Sequence, residues 1–423
     1  MQENVSHITN EAWEKLIQQL RYVQENSVYY QRLFKEQGFD SHQANTSDFL
    51  NLPYTRKQDL AKFNDDFIAV KPREIIEYVT TSGTLGDPVT FALNENDLQR
   101  LALNEAQSFQ LIGVGENDVV QITTTLDKRF IAGLAYFLGL RKIGAGIVRV
   151  GAGSPALQWD SIQRFKPSYL IVVPSFLIQL AKYAEANDID INTSSIKGAI
   201  CIGEALRDEK HELNTLGKKI KSLWDIELFS SYASTEMCTA FTECKKHKGL
   251  HVPENLIFTE ILNENGEEVQ PGEIGELVIT TLGVETLPLV RYATGDLVKK
   301  LKITCDCESS SALISSVLGR KQQLIKYKGT SIYPQQIVQL MINLPELQEY
   351  QIQVTSNELD TDKLSIVIPE EASESLQHQL KEILKANLRV TPLLKLLPLD
   401  ELKASIFPEG SRKPVRFLDL RKA

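Results

Sequence analysis

Little in this 423-residue chain suits a disulfide scaffold, a membrane span or a nucleic-acid surface. Five cysteines are too few for a disulfide framework at this length, and they read as reduced thiols of a cytoplasmic protein. The longest apolar run, Phe130–Leu140, has 11 residues, well short of the roughly 20 that a spanning helix needs. Lys and Arg are outnumbered by Asp and Glu, 46 − 55 = −9. That balance excludes the broad basic surface of a nucleic-acid binder, though not local basic pockets. The first residues, MQENVSHITNEAWEKL, are polar and acidic, which predicts no secretory leader. There is no internal repeat, no low-complexity tract and no G-x-x-x-x-G-K-[ST] phosphate loop.

What is present is an α/β pattern. At roughly 150 residues per domain the length predicts two or three domains. Residues 11–34 carry apolar side chains at helical spacing and read as one entry helix. From about 117 to 235, β-rich runs (119–125, 146–150, 169–173, 199–202, 226–232) alternate with helical stretches that include 176–186 and 207–216. Such alternation predicts βαβ units and a largely parallel sheet, with ligands at the carboxyl ends of its strands. Beyond 250 the signals turn antiparallel: a strand at 258–262, a turn at Asn265-Gly266 and a strand at 276–281. From about 320 a helix after Pro334, strands at 351–355 and 364–368, and a helix over 373–387 predict a separate small α+β domain. The fold expected is a large N-terminal domain of mixed and parallel sheets over 1–319 and a small C-terminal α+β domain over 320–423.

Several short strings carry chemistry. TTSGTLGDP (80–88) follows the strand-like IIEYV, and its hydroxyls and two glycines suit an anion-binding nest, although such a string is more often a plain turn. GAGSPA (151–156) formally matches a dinucleotide fingerprint, but Pro155 sits inside it and no acidic residue follows at about twenty residues, so it reads as a turn. CIGEAL (201–206), SSYASTEM (230–237), LPLVRYATGDL (287–297) and GRKQQLIKYKGTSIYP (319–334) each have a bland reading as a strand end or turn.

Together, in this order and spacing, they resemble the adenylate-forming enzymes, and within them the phenylacetate–coenzyme A ligase group. The likeness runs from LPYTRKQDL (52–60) to KPVRFLDLR (413–421). The family's SSGTTGKP stands as TSGTLGDP, its GAE as Gly203-Glu204-Ala205, its YGLSE as Tyr232–Glu236 and its YRTGD as Tyr292–Asp296. The resemblance implies that Thr81, Ser82, Gly83 and Thr84 wrap the ATP phosphates. Gly203, Glu204 and Tyr232 would flank adenine, and Thr235 would donate to the α-phosphate. Glu236 would hold Mg2+, a hard cation suited to carboxylate and phosphate oxygens. Asp296 would accept from the ribose hydroxyls. Arg320 would support ribose or phosphate, and Lys413 would be the catalytic lysine of adenylation. The resemblance also implies that the small C-terminal domain is mobile. Three departures from the pattern stand out: Asp87 for the loop lysine, the pair Gln322 and Gln323 for the acid after Gly-Arg, and Arg412 for glycine.

Cys244 and a histidine (His247 or His251), with Cys305 and Cys307 some sixty residues on, could supply Cys3His ligation for a structural zinc. The resemblance favours His251. By position the acyl pocket includes Phe130, Ile131, Ala132, Gly133, Pro174, Ser175 and Phe176, an apolar and partly aromatic lining that suits an aryl or arylacetic acid. LDKR (126–129) replaces the Tyr-Gly-rich stretch of the phenylacetate enzymes. The implied activity is ATP-dependent formation of an acyl-adenylate, then a thioester with CoA, releasing pyrophosphate and AMP. Loading of a carrier-protein phosphopantetheine is the runner-up, and a non-catalytic nucleotide-binding or sensing protein is the competing class. The expected partners are a small carboxylate, ATP and CoA, with an acyl carrier protein and a homodimer left open.

Overall fold

The computed structural model describes residues 8–81, 89–303, 305–307, 309–328, 330–344, 346–356, 362–408 and 414–421. The chain divides into two compact units, Met1–Leu213 with Gly217–Val317, and Asn214–Leu216 with Leu318–Ala423.

The N-terminal unit begins with two helices, α1 (Asn10–Asn26) and α2 (Val28–Gln37), where the apolar spacing predicts one. Ser27 breaks the run: its backbone is extended, and its hydroxyl oxygen accepts from Tyr30 N while the hydroxyl donates to the Asp66 carbonyl. A serine that satisfies free N–H groups ends one helix and starts another. Two short helices follow, α3 (Thr46–Leu50) and α4 (Lys57–Lys62), then the hairpin β1 (Glu77–Thr80) and β2 (Thr90–Leu93) and the long helix α5 (Glu95–Ile112).

The main sheet is built as the strand–helix alternation predicts. β3 (Val119–Ile122), α6 (Ile131–Ile143), β4 (Gly146–Arg149), α7 (Pro155–Phe165), β5 (Tyr169–Val172), α8 (Pro174–Ala186), β6 (Gly198–Ile202), α9 (Thr215–Leu223) and β7 (Glu227–Ser234) follow one another. The strands β4, β3, β5, β6 and β7 lie side by side in parallel. β8 (Thr239–Glu243), β9 (Leu250–His251) and, from later in the chain, Leu313–Ile314 extend the sheet antiparallel to eight strands. β5 and β6 are buried throughout, as expected for parallel strands covered on both faces. The GAGSPA segment is a turn whose Ser154 caps α7, with Pro155 at the first helical position.

The helix predicted over 207–216 is instead a loop, with α9 starting at Thr215. Asp208 is the reason: its carboxylate accepts from Lys210 N (2.9 Å) and Glu212 N (3.1 Å), an Asx turn that competes with helix. Arg207, drawn to buried Glu243 at 2.5 Å, fixes the start of that loop.

A second sheet joins β10 (Ile257–Leu262), β11 (Ile274–Thr281) and β12 (Tyr292–Lys299) antiparallel, with the expected turn at Gly266 (φ +79°). In the C-terminal unit β17 (Gln351–Ser356) and β18 (Asp362–Pro369) pair antiparallel, and β19 (Leu393–Leu397) and β20 (Phe417–Asp419) flank them in parallel. In chain order β13 is Leu313–Ile314, β14 Gly319–Arg320, and β15 (Ile325–Tyr327) with β16 (Thr330–Ile332) forms a hairpin. Helices α10 (Pro334–Met341) and α11 (Glu374–Leu388) pack on this sheet through Ile337, Met341, Leu380 and Leu384, and α12 is Leu399–Ile406.

Helices α5 and α6 pack closely enough that a Cβ on Gly139 would fall 2.4 Å from Glu105 Cβ. Burial pushes the Glu105 carboxyl from 4.5 up to about 8. Between these values the unfolded chain is ionised and the folded one protonated, so folding takes up a proton and stability falls as pH rises. The slope for one site is about 1.4 kcal/mol per pH unit. Glu105→Gln should therefore gain on the parent protein from pH 5 to pH 8 and gain no more above that, read by urea unfolding at several pH values. A difference that does not change with pH would contradict the assignment.

Candidate functional site

The carboxyl ends of the parallel strands supply most of the expected residues. Gly203 ends β6 with φ +77°, a conformation in which glycine carries no Cβ penalty. The turn sends Glu204 back across the sheet, where its carboxylate accepts from Ser175 N (2.8 Å) and Ser175 Oγ (3.0 Å). Glu204 thus sits on the N-terminus of α8, a favourable place for negative charge. It joins the expected adenine side to the expected acyl segment, Pro174–Phe176.

β7 carries Tyr232, and its hydroxyl donates to Asp296 Oδ2 at 2.7 Å. Asp296 reaches this position through a bulge. Between the pairs Val278↔Ala293 and Glu276↔Leu297, β11 advances 278 − 276 = 2 residues while β12 advances 297 − 293 = 4. The extra residues include Gly295 at φ +76°, and Thr294 Oγ donates to the Leu277 carbonyl at 2.7 Å. Bulges of this kind re-aim side chains at functional edges.

Thr235 and Glu236 form the tight turn between β7 and β8, both half-buried. Ser234 Oγ accepts from Met237 N, and Cys238, at φ +46°, donates its N–H to the Thr235 carbonyl. The turn is anchored from outside by a residue no motif marks. Arg100 of α5, buried, donates to the Cys238 carbonyl (2.5 Å), Thr239 Oγ (2.9 Å), the Leu282 carbonyl (2.7 Å) and the Leu256 carbonyl. Its only trace in the sequence is a run of polar residues (Asp97, Arg100, Asn104, Glu105, Ser108) at positions where α5 is buried.

Thr81 closes the neck of the β1–β2 hairpin: its N–H donates to the Val89 carbonyl, and its hydroxyl oxygen accepts from Val89 N, both at 3.0 Å. Ser82, Gly83, Thr84 and Asp87 lie outside the described residues. Thr80 N donates to the Arg129 carbonyl, which brings the neck beside Phe130–Gly133 at the start of α6. Gly133 permits that packing, since a Cβ there would lie 2.1 Å from the Thr125 carbonyl oxygen. Arg320 belongs to the C-terminal unit, where Gly319 lies against the Tyr333 ring. Lys413 and Arg412 lie outside the described residues. The run that follows them is pinned: Ile352 N donates to the Arg416 carbonyl, Leu420 N to the Val354 carbonyl, and Arg421 to Asp419, Asp362 and the Leu324 carbonyl.

Cys244, His251, Cys305 and Cys307 come together, with all four ligand atoms within 4.8 Å of one another. Cys244 Sγ lies 3.5 Å from Cys305 Sγ, and Cys307 Sγ lies 3.5 Å from His251 Nε2. His251 Nδ1 contacts Ser311 Oγ at 2.9 Å, which leaves Nε2 facing the thiols. Burial holds the His251 imidazole below its ordinary pKa, in the neutral form that a metal requires. His247, the other histidine that the spacing allows, points elsewhere, to Glu243 and Glu227.

Hydroxyl, carboxylate and aromatic groups thus meet near the strand ends of two sheets. The chain belongs to the AMP-binding enzyme family: the family model matches residues 4–285, and the model of the family's C-terminal domain matches 329–421. It is accordingly an AMP-forming acid–thiol ligase. It is 28% identical to the phenylacetate–coenzyme A ligase of Thermus thermophilus, over 97% of this chain and 96% of that one. It is 24% identical to the enzyme of that name from Escherichia coli, over 95% and 92%. A crystal structure of 2-hydroxyisobutyryl-CoA ligase in the postadenylation state shares the fold, with a TM-score of 0.80 at 22% identity over 96% of this chain and 88% of that one. Among the described residues no helix is long and apolar enough to cross a membrane.

The Tyr232–Asp296 contact gives the first prediction from this site. Removing a hydrogen bond to a buried carboxylate costs about 1.5–3 kcal/mol. Tyr232→Phe should lower unfolding free energy by that order and weaken AMP binding in calorimetry. Wild-type values for both would show that the pair positions nothing.

Proposed function

We propose that this enzyme activates an aromatic carboxylate, aryl or arylacetic, and transfers it to CoA. The observation that supports adenylation is the Tyr232–Asp296 hydrogen bond, between the residues read as adenine and ribose contacts, and the aromatic class is read from the apolar segments that carry Phe130 and Phe176. Glu204 links this slot to Pro174–Phe176, and Thr80 links the loop neck to Phe130–Gly133.

In the first half-reaction a carboxylate oxygen attacks the α-phosphorus of ATP in line. The bond from that phosphorus to the bridging oxygen breaks, and pyrophosphate leaves. Thr81, Ser82, Gly83 and Thr84 cradle the departing phosphates, Thr235 donates to the α-phosphate, and Lys413 offsets charge where carboxylate and phosphate meet. Glu236, a half-buried carboxylate next to Thr235 in the turn, suits a hard cation, and bound Mg2+ would offset phosphate charge there. In the second half-reaction the thiolate of CoA attacks the acyl carbon, AMP leaves, and the thiol proton passes to solvent. Residues 1–319 are read as the domain that holds the acyl, ATP and metal sites, and 320–423 as a lid that delivers Arg320 and Lys413. Five free thiols suit the cytoplasm.

ATP–pyrophosphate exchange over a panel of acids tests the substrate class. Benzoates and arylacetates should support exchange, and long-chain fatty acids should not. Exchange that rises with alkyl chain length and ignores aromatic acids would overturn the aromatic reading. Lys413→Ala should lose exchange by roughly 10²–10³, as expected for a fixed donor aimed at developing charge. Thioester formation from presynthesised acyl-adenylate should stay near wild type, and equal loss in both halves would remove Lys413 from its role.

The Cys244–His251–Cys305–Cys307 set fits structural zinc in ligand number and type, with Ser311 fixing the imidazole. Elemental analysis should find close to one zinc per chain, and Cys305→Ser should lose it and lower the melting temperature. A metal-free preparation that melts at the same temperature would exclude a structural metal here.

A further inference from the structure

This acidic chain concentrates positive charge in one place that the proposed reaction does not use. KKHK (245–248) directly follows Cys244, and KKLK (299–302) lies just before Cys305. The contacts of Cys244 with Cys305 and of His251 with Cys307 hold the two loops side by side. Between them opens a cavity of about 560 Å³, lined by Lys210, His211, His247, Lys248, Lys302 and Ile303. Five of these six residues are basic. Its volume falls in the range of ordinary ligand pockets, about 300–1,000 Å³.

The charges are only partly answered by the protein itself. Lys248 pairs with Asp306 at 2.7 Å, and His247 lies between Glu243 and Glu227. Glu243 is already committed to Arg207 and the Ser230 N–H. Lys210 and Lys302 have no carboxylate within ion-pair distance among the described residues. His211 (φ +65°) and His247 (φ +53°) both hold left-handed backbone, uncommon for residues other than glycine, and both face this one cavity. Like charges gathered in a concave wall focus an attractive field on an anion.

The cavity is separate from the nucleotide slot. His247 touches Glu227, the first residue of β7, whereas Tyr232 lies five residues further along that strand. At about 3.3 Å per residue the two ends are roughly 17 Å apart.

We infer that this basic cavity is a second anion site that binds a nucleotide carrying more than one phosphate group, with Lys210 and Lys302 as its principal cations. Lysine suits such a ligand as a mobile point charge on phosphate oxygen. The ligand chemistry has two sources, the 3′-phosphorylated nucleotide end of CoA and a free nucleotide acting as an effector. The inference rests on the ligase reading only for the first source, and the test keeps the two apart.

Adenosine 3′,5′-bisphosphate serves as the probe, titrated by calorimetry into the full-length protein with the nucleotide slot saturated by AMP. One equivalent should bind, and the Lys210→Gln/Lys302→Gln double variant should bind at least tenfold more weakly, while its pyrophosphate exchange stays at the wild-type rate. A matching rise in KM for CoA, absent for dephospho-CoA, assigns the site to the CoA head. An unchanged KM for CoA with the bisphosphate binding lost assigns it to an effector. No binding to the AMP-saturated wild type, or equal binding to the double variant, overturns the site. If wild-type exchange is absent for every acid, the ligase reading fails, and the binding result still decides the cavity.

Discussion

Arg100 is the interaction on which the arrangement depends most. One guanidinium, buried on α5, gathers carbonyls from residues 238, 256 and 282, and among the described residues no carboxylate shares a hydrogen bond with it. Burial lowers its pKa, so the position is costly unless every donor is met. What the cost secures is position. The turn bearing Thr235 and Glu236, the entry to β10 and the exit from β11 are all fixed to one helix.

From that anchor the remaining geometry follows by short links. The parallel strands deliver Glu204 and Tyr232 at their carboxyl ends, as open α/β sheets do. The second sheet answers with Asp296, which an unbulged strand would have placed differently. The hydrogen bond between Tyr232 and Asp296 is where the two sheets meet in chemistry. Glu204, spent on the N-terminus of α8, shows the same economy: a carboxylate that orders the wall of the slot also ties it to the segment expected to face the acid.

How much of this was legible depended on the range of the interaction concerned. Strand–helix alternation and the motif strings were readable because each is local: a glycine that ends β6, a turn after β7, a proline that opens α7. The Cys–His set was readable because metal-ligand types are few and fall in two short clusters, though spacing left His247 and His251 open and the family resemblance favoured His251. Ser27, Asp208 and Arg100 were not. Ser27 and Asp208 divert local backbone hydrogen bonds inside segments whose apolar spacing still says helix. Arg100 finds acceptors 138 to 182 residues away, and spacing along the chain holds no information about them. Glu105 is similar, a charge-type residue on a face that tertiary packing alone makes dry. The residues around Ser82–Thr84 and Lys413 rest on their motifs rather than on described geometry.

The central claim is that one slot joins a carboxylate to the α-phosphate of ATP before any thiol is engaged. Isotope transfer tests this most directly. With an aromatic acid labelled with ¹⁸O in its carboxylate, a complete turnover with CoA should leave one labelled oxygen in AMP and none in pyrophosphate. AMP free of label, with the departing oxygen found in pyrophosphate or in water, would contradict the account.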